Sequence, residues 1–170
     1  VAAHLDHGLR GADSRADAGH VAALCARLEV PLVSARWDCA ARMRRAGLSG
    51  EAGLRILRRR FLRSAMRRTG AVAIATAHTA DDQLETLLMR LARGSGARGL
   101  AGMRPRHGAW LKPLLEATRA EVVADLTRLG IAWREDASNA SPAHLRNRIR
   151  HRVVPALVEA LEPEPGRHTA

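Results

Sequence analysis

Residues 71–86 read Ala71-Val72-Ala73-Ile74-Ala75-Thr76-Ala77-His78-Thr79-Ala80-Asp81-Asp82-Gln83-Leu84-Glu85-Thr86, an apolar run that passes through a histidine into an acid-rich amphipathic run. The first half, Ala71 to Ala77, has the length and composition of a buried strand. The second half reads as a helix in which Asp82 and Glu85, at i and i+3, share a face. Leu84, Leu87, Leu88 and Leu91 form the stripe expected to be buried. Open parallel sheets bind their ligands at the carboxyl ends of strands, so His78 and the three carboxylates mark a place for chemistry. Acids in a first turn also complement the helix dipole. Spacing alone therefore leaves a capping role open beside a binding one.

Outward from this junction, strands and helices alternate. Val1 to Asp6 is a strand candidate, followed by the turn His7-Gly8-Leu9-Arg10-Gly11. Asp13 or Ser14 is placed to cap a helix from about Arg15 to Leu28, with Val21, Leu24, Cys25 and Leu28 inward. Val30 to Ala35 is the second strand. Asp38–Arg45 and Ser49–Arg68 read as helices broken at Gly47, the second carrying Leu54, Leu57, Phe61, Leu62 and Ala65 inward. Beyond the acid-rich helix, Arg93 to Gly99 is a flexible, basic, glycine-rich loop. Trp110 to Pro113 is expected as a short edge strand. Thr118-Arg119-Ala120-Glu121 is a capping box that opens a helix running to Leu129 and stopping at Gly130. Ile131 to Trp133 is one more short strand, and the residues from 162 onward read as a disordered tail. The alternation predicts an α/β fold, a mainly parallel sheet flanked by helices.

The chain has 170 residues and a formal net charge of +11, with 28 Lys and Arg against 17 Asp and Glu. Lys112 is the only lysine, so the charge is carried by arginine. This balance favours an anionic partner such as nucleic acid or nucleotide phosphates. The single Phe and absence of Tyr limit any aromatic stacking platform. No apolar stretch reaches the ~18 residues of a membrane helix, so no membrane partner is expected. Cys25 and Cys39 are too far apart for a CxxC pair and read as free thiols of a reducing, cytoplasmic setting.

The chain resembles the tRNA(Ile)-lysidine synthetases of the PP-loop ATP pyrophosphatase superfamily. The matching stretches are His4-Leu5-Asp6-His7-Gly8-Leu9-Arg10, Glu51-Ala52-Gly53-Leu54-Arg55, Ala77-His78 with Asp81-Asp82 and Glu85-Thr86, and Arg93-Gly94-Ser95-Gly96 with Gly99-Leu100. They continue in Lys112-Pro113-Leu114-Leu115, Glu135-Asp136-Ala137-Ser138-Asn139 and Arg146-Asn147-Arg148-Ile149-Arg150. Each is weak alone; together, in the family's order, they span most of the chain. The resemblance implies a Rossmann-like nucleotide-binding fold and a ligase reaction. The wobble cytidine of a tRNA(Ile) with a CAU anticodon is adenylated at C2, and free L-lysine displaces AMP to leave lysidine. ATP and Mg²⁺ are the implied cofactors, and a homodimer is an implied assembly.

By the same resemblance Asp82 and Glu85 hold the lysine, and Arg55 lies near the reacting centre. His4, His7 and His78 face the ATP. From charge and spacing, Arg93 and Arg98 on the flexible loop and Arg146, Arg148 and Arg150 suit tRNA phosphates, with a plain surface loop and ordinary solvated arginines as the alternatives. Asp136, Ser138 and Asn139 form either a turn that orders the approach to Arg146 or a turn without function. Residues 1–117 correspond to the nucleotide-binding part, 118–161 to a helical part and 162–170 to the tail. The chemistry is congruent: a cationic amino acid needs carboxylates, and an amine nucleophile must lose a proton near a base. The family's Ser-Gly-Gly-x-Asp-Ser phosphate loop does not occur in these residues, which suggests that a segment carrying it, with the first strand, precedes Val1. Without it the chain is expected to be inactive alone and to expose sheet edges. Arg59 stands where the family has tyrosine, and Lys112 where arginine is usual. A related PP-loop tRNA thiolase and a non-catalytic tRNA-binding remnant are the alternatives.

Overall fold

The computed structural model describes residues 1–135 and 145–161, and all of their side chains except those of Ala97 and Arg98. In chain order the elements are β1 (Ala2–Asp6), α1 (Ala12–Arg27), β2 (Leu32–Arg36), α2 (Cys39–Arg45), α3 (Gly50–Thr69), β3 (Ile74–Ala75), α4 (Ala80–Ala92), α5 (Ala97–Leu100), β4 (Arg106–His107), β5 (Trp110–Leu111), α6 (Arg119–Arg128), α7 (Leu145–Arg148) and α8 (Val154–Leu161). A π-helical turn, Ile149–Val153, joins α7 to α8. The α/β alternation holds. The strands fall into two sheets, a β1-β2 pair and a three-stranded set in the order β3-β5-β4. Spatially the chain groups into two compact units, Val1–Ile74 with Gly108–Leu111, and Ala75–His107 with Lys112–Ala170.

In the first unit β1 and β2 run parallel, in a register from Ala2 opposite Leu32 to Asp6 opposite Arg36, with α1 as the crossover. The turn after β1 is built by Asp6, whose Oδ1 accepts the Gly8 N–H at 2.8 Å. Gly8 sits at φ 67°, and a Cβ there would lie 3.1 Å from the Trp37 carbonyl oxygen. Both facts require glycine. Helix α1 starts earlier than expected, with Gly11 at its N-cap. Asp13 therefore falls inside the first turn instead of capping it, and Ser14 is buried. Leu28, at the C-cap rather than on the inner face, is half exposed. Asp38 caps α2, accepting the Ala41 N–H at 2.8 Å. α3 ends at Gly70 in the left-handed conformation.

The core of this unit gathers where α3 turns its apolar face inward. Leu57, Phe61 and Ala65 are buried, as are Cys25, Cys39 and Ile74. Phe61 meets the Trp37 ring edge to face at 5.7 Å, a geometry that adds quadrupole attraction to burial. Arg42 covers the same tryptophan, its guanidinium 4.4 Å from the ring centroid.

Four local expectations are corrected. The strand expected over Ala71–Ala77 shrinks to Ile74–Ala75, and Val72 is exposed. β5 is the middle strand of its sheet, not an edge. It pairs with β4, a strand of two exposed residues that carries no alternation to betray it. Ile131–Trp133 is not a strand: the Ile131 N–H donates to the Leu126 carbonyl at 2.9 Å and so closes α6. The basic loop from Arg93 to Gly99 contains one helical turn, α5, packed so closely that a Cβ on Gly99 would lie 2.8 Å from Ser95 Cβ. The Thr118 capping box is present in both directions: Thr118 N–H donates to Glu121 at 2.7 Å, and Glu121 N–H to Thr118 Oγ1 at 3.2 Å. The tail from 162 onward and residues 136–144 lie outside the described residues.

Truncating Phe61 to alanine removes the largest apolar side chain of the α3 face. The substitution is expected to cost about 3–5 kcal/mol of stability, read as a lower urea midpoint at unchanged slope.

Candidate active site

α4 brings the acid-rich run into shape within the second unit, and its three carboxylates take three different jobs. Asp81 Oδ2 accepts the Arg119 N–H at 2.7 Å, a helix-end donor of α6. Asp82 Oδ2 accepts the Thr79 N–H at 2.9 Å and so caps its own helix. Its other oxygen, Oδ1, receives Arg146 Nη2 at 2.7 Å. Glu85 is the most buried residue of α4, at 1% exposure. The leucines expected to form the buried stripe are only partly covered, and Leu91 is half exposed.

A carboxylate sealed from water must be paired, and Glu85 is paired twice. Arg146 Nε donates to Oε2 and Arg150 Nε to Oε1, each at 2.5 Å. Arg150 also stands 3.8 Å from Asp82 Oδ1. Two carboxylates thus meet two guanidiniums in one electroneutral cluster. The hydrogen bond to Glu85, reinforced by the charges of Glu85 and Asp82 against the cost of burial, raises the Arg150 pKa above its already high value. The side chains of both arginines are about one-quarter exposed, at 25% and 26%, and that of Asp82 is at 20%, whereas the Glu85 side chain is closed off. Asp82 is therefore the carboxylate a ligand can reach. The two arginines flank the junction of α7 with the π-helical turn, an element that tends to occur at functional sites.

The sequence reading placed the carboxylates and the two arginines in separate roles, and the structure puts all four together. His78 lies in the same unit, its Nδ1 2.9 Å from Thr76 Oγ1. Arg93 and Arg148 are exposed. The Arg98 side chain and Asp136, Ser138 and Asn139 lie outside the described residues. His4, His7 and Arg55 belong to the first unit, where Arg55 is exposed on α3. His4 Nε2, His7 Nδ1 and Ser14 Oγ are buried polar atoms with no hydrogen-bond partner among the described residues. They lie around the carboxyl end of β1, where a polar ligand would satisfy them. Burial lowers the His4 pKa from its ordinary value, with Arg58 and His7 adding to the effect and Asp6 and Asp17 opposing it. Among the described residues, no group of three His, Cys, Asp or Glu is placed to hold a metal ion. No helix of the described residues is long and apolar enough to cross a membrane.

One functional neighbour was not singled out from sequence. Gln83 forms an amide clamp, donating Nε2–H to the Met103 carbonyl at 3.1 Å and accepting the Met103 N–H at 2.6 Å. Arg90, seven residues on, donates to the Gly99 carbonyl at 2.6 Å and the Gly102 carbonyl at 3.3 Å. Together they hold the segment after α4 against the helix that bears Asp82 and Glu85. A glutamine in an amphipathic pattern gives no sign of such a bond 20 residues away.

A fold that alternates strand and helix, with polar groups orphaned beyond β1 and carboxylates opening the helix after β3, defines a ligand-binding α/β domain. The chain belongs to the PP-loop family, whose domain matches residues 1–157. It is 40% identical over 161 residues to the tRNA(Ile)-lysidine synthase of Geobacillus kaustophilus, covering 92% of this chain and 35% of that protein. With the enzyme of the same name from Thermus thermophilus it shares 46% over 159 residues, 94% of this chain and 31% of the relative. The chain thus spans about a third of the length of these relatives. Among solved structures it is similar to the U34-tRNA thiolase NcsA of Methanococcus maripaludis, with TM-score 0.70 and 16% identity over 95% of this chain and 55% of that one. That likeness concerns the fold.

Removing both arginines strands Glu85 as a buried, unpaired charge. The double substitution Arg146→Ala with Arg150→Ala is expected to destabilise the protein by about 3–5 kcal/mol, measured by urea unfolding at neutral pH. His4 gives a separate signature. Because its folded pKa lies below the ordinary 6.5, the unfolded chain takes up the proton first as pH falls, and stability declines below about pH 6.5. His4→Gln should flatten the stability profile between pH 7 and 5.

Proposed function

We propose that this chain forms the catalytic-domain portion of a tRNA(Ile)-lysidine synthetase. The reaction joins free L-lysine to C2 of the wobble cytidine in a tRNA(Ile) with a CAU anticodon. The observation that carries the reading is 40–46% identity to synthases of that name along more than nine-tenths of the chain. The carboxylate pair on α4 supplies chemistry to match. The division of labour gives residues 1–117 to the nucleotide and 118–161 to the helical part.

ATP, when bound, supplies the adenyl group that turns the cytidine C2 oxygen into a leaving group. His4 and His7 would hold it, since their orphaned ring nitrogens call for a polar ligand, and His78 joins them in this reading. Mg²⁺ belongs to the same reading as the nucleotide's counter-ion. Asp82 is the accessible carboxylate and receives the lysine amine. An entering cation competes most easily with Arg150 Nη2, the loosest contact at 3.8 Å. Glu85, closed off beneath, holds Arg146 and Arg150 in place beside Asp82. A carboxylate at this position accepts the proton that the amine must shed as it attacks. Arg55 stabilises negative charge at the reacting phosphate, and a guanidinium suits that task. Arg93 and Arg98, with the exposed edges of Arg146 and Arg150, meet tRNA phosphates. A cytoplasmic homodimer completes the picture.

The test is ATP-dependent incorporation of labelled lysine into a tRNA(Ile) transcript by the protein at its native length. Asp82→Asn is expected to abolish lysine use while leaving ATP binding intact. Equal loss of ATP binding would take Asp82 out of the lysine role. A native-length protein that binds tRNA with no lysine incorporation would favour a non-catalytic tRNA-binding protein.

A further inference from the structure

Outside that site, α3 carries a strongly basic surface. Its 20 residues carry seven arginines against one acid, Glu51 in the first turn. Arg55, Arg59, Arg63 and Arg67 recur at i, i+4, i+8 and i+12. In a helix they form one ridge, each member rising about 6 Å and turning about 40° from the last, for a total of about 18 Å. Leu57, Phe61 and Ala65 face the core on the opposite side, and all four arginines are exposed. Arg60 lies beside the ridge and is exposed as well.

None of the four has an ion pair among the described residues. A solubilising helix face intersperses acids at i+4 to gain attraction, whereas like charges at that spacing repel and weaken the helix. This ridge has three such repulsive steps in succession. Arg59 is held in place by the Trp110 ring, its guanidinium 4.7 Å from the centroid. The ridge is therefore a preformed row of positive charge with no ion pair among the described residues, Glu51 at its start being the single acid of the helix.

We propose that the Arg55–Arg59–Arg63–Arg67 ridge of α3 is a docking surface for the phosphodiester backbone of RNA, a surface distinct from the arginines that face Asp82 and Glu85. The inference rests on the tRNA reading above for the identity of the RNA. Charge complementarity selects the partner class: guanidinium forks match phosphate oxygens two at a time. The same helix buries its apolar face in the core, so it has no hydrophobic side to insert into a lipid surface. No base-reading set is interleaved along the row, which makes the contact one of register and orientation rather than sequence. Its first member, Arg55, is the arginine proposed for the reacting centre, so the row leads the bound strand toward that residue.

The experiment is a salt titration of binding to a tRNA(Ile) transcript, using native-length protein with Arg63→Gln and Arg67→Gln. Loss of two phosphate contacts should flatten the plot of log K against log salt by about 1.4–1.8 in slope. Mixed-sequence duplex RNA should weaken in parallel, and circular dichroism should stay unchanged. Arg63→Lys with Arg67→Lys should keep most of the slope, which separates charge from folding damage. An unchanged slope in the glutamine variant overturns the proposal. So does an equal loss from Arg44→Gln with Arg45→Gln on α2, which would make the effect one of net charge. Binding to phosphatidylserine vesicles that is lost with the ridge while RNA binding persists also overturns it. Lysine incorporation by the unsubstituted protein is measured alongside: its presence with an unchanged slope defeats the ridge alone, and its absence defeats the catalytic reading while leaving the slope to judge the ridge.

Discussion

A single buried carboxylate organises the second unit. Glu85 is almost completely withdrawn from water, and an ionised group in that position has to be compensated close at hand. Arg146 and Arg150 do this by taking one oxygen each. The consequence is tertiary: α4 is tied to the α7 segment more than 60 residues later, and Asp82 is drawn in through Arg146. Replacing such a cluster by apolar side chains of similar volume is often neutral or better for stability in proteins at large. Its presence here is better explained by the partly exposed Asp82 carboxylate it positions than by the stability it adds.

The cluster also divides roles between two carboxylates that sequence spacing treats as equals. Asp82 and Glu85 lie one turn apart on the same face, yet one is reachable and the other sealed. The reachable one spends Oδ2 on the cap of α4, which fixes its orientation. The sealed one holds the guanidiniums. Under the proposed function a cationic amine meets a cluster already balanced in charge, so it gains only by exchange with a guanidinium. Such a site discriminates by geometry as much as by charge.

Positive charge is distributed by the same logic. The arginines near Asp82 and Glu85 are neutralised within the protein, whereas the row along α3 makes no ion pair among the described residues and has one acid, Glu51, on its helix. The net charge of +11 is thus not one uniform property of the surface. Some arginines are paired with carboxylates, at the Asp82–Glu85 cluster and on the surface at Arg119 and Arg128, while the row along α3 is left without an ion pair among the described residues and is placed to attract a polyanion at a distance.

How much of this was legible beforehand depended on distance along the chain. The helix from about Asp38, the Thr118–Glu121 box, the break at Gly130 and the inward face of α3 are all local, and the sequence displays them openly. The strand of residues 71–77 and the supposed strand at 131–133 failed because pairing, not propensity, decides a strand. Only two residues of the first found a partner strand, and Ile131 gave its N–H to α6. α1 started early because Gly11 could adopt a positive φ, an option that outweighed the capping residues just after it. In the site, the carboxylates at 82 and 85 and the arginines at 146 and 150 were each visible as residues of one helical face. The sequence by itself determined the alternating α/β order, the family resemblance and the acids at the head of α4. Only the tertiary structure decided that Glu85 would be buried and that Arg146 and Arg150 would face it. That pairing is a contest among desolvation, charge and packing between segments far apart in the chain, and no local pattern records its outcome.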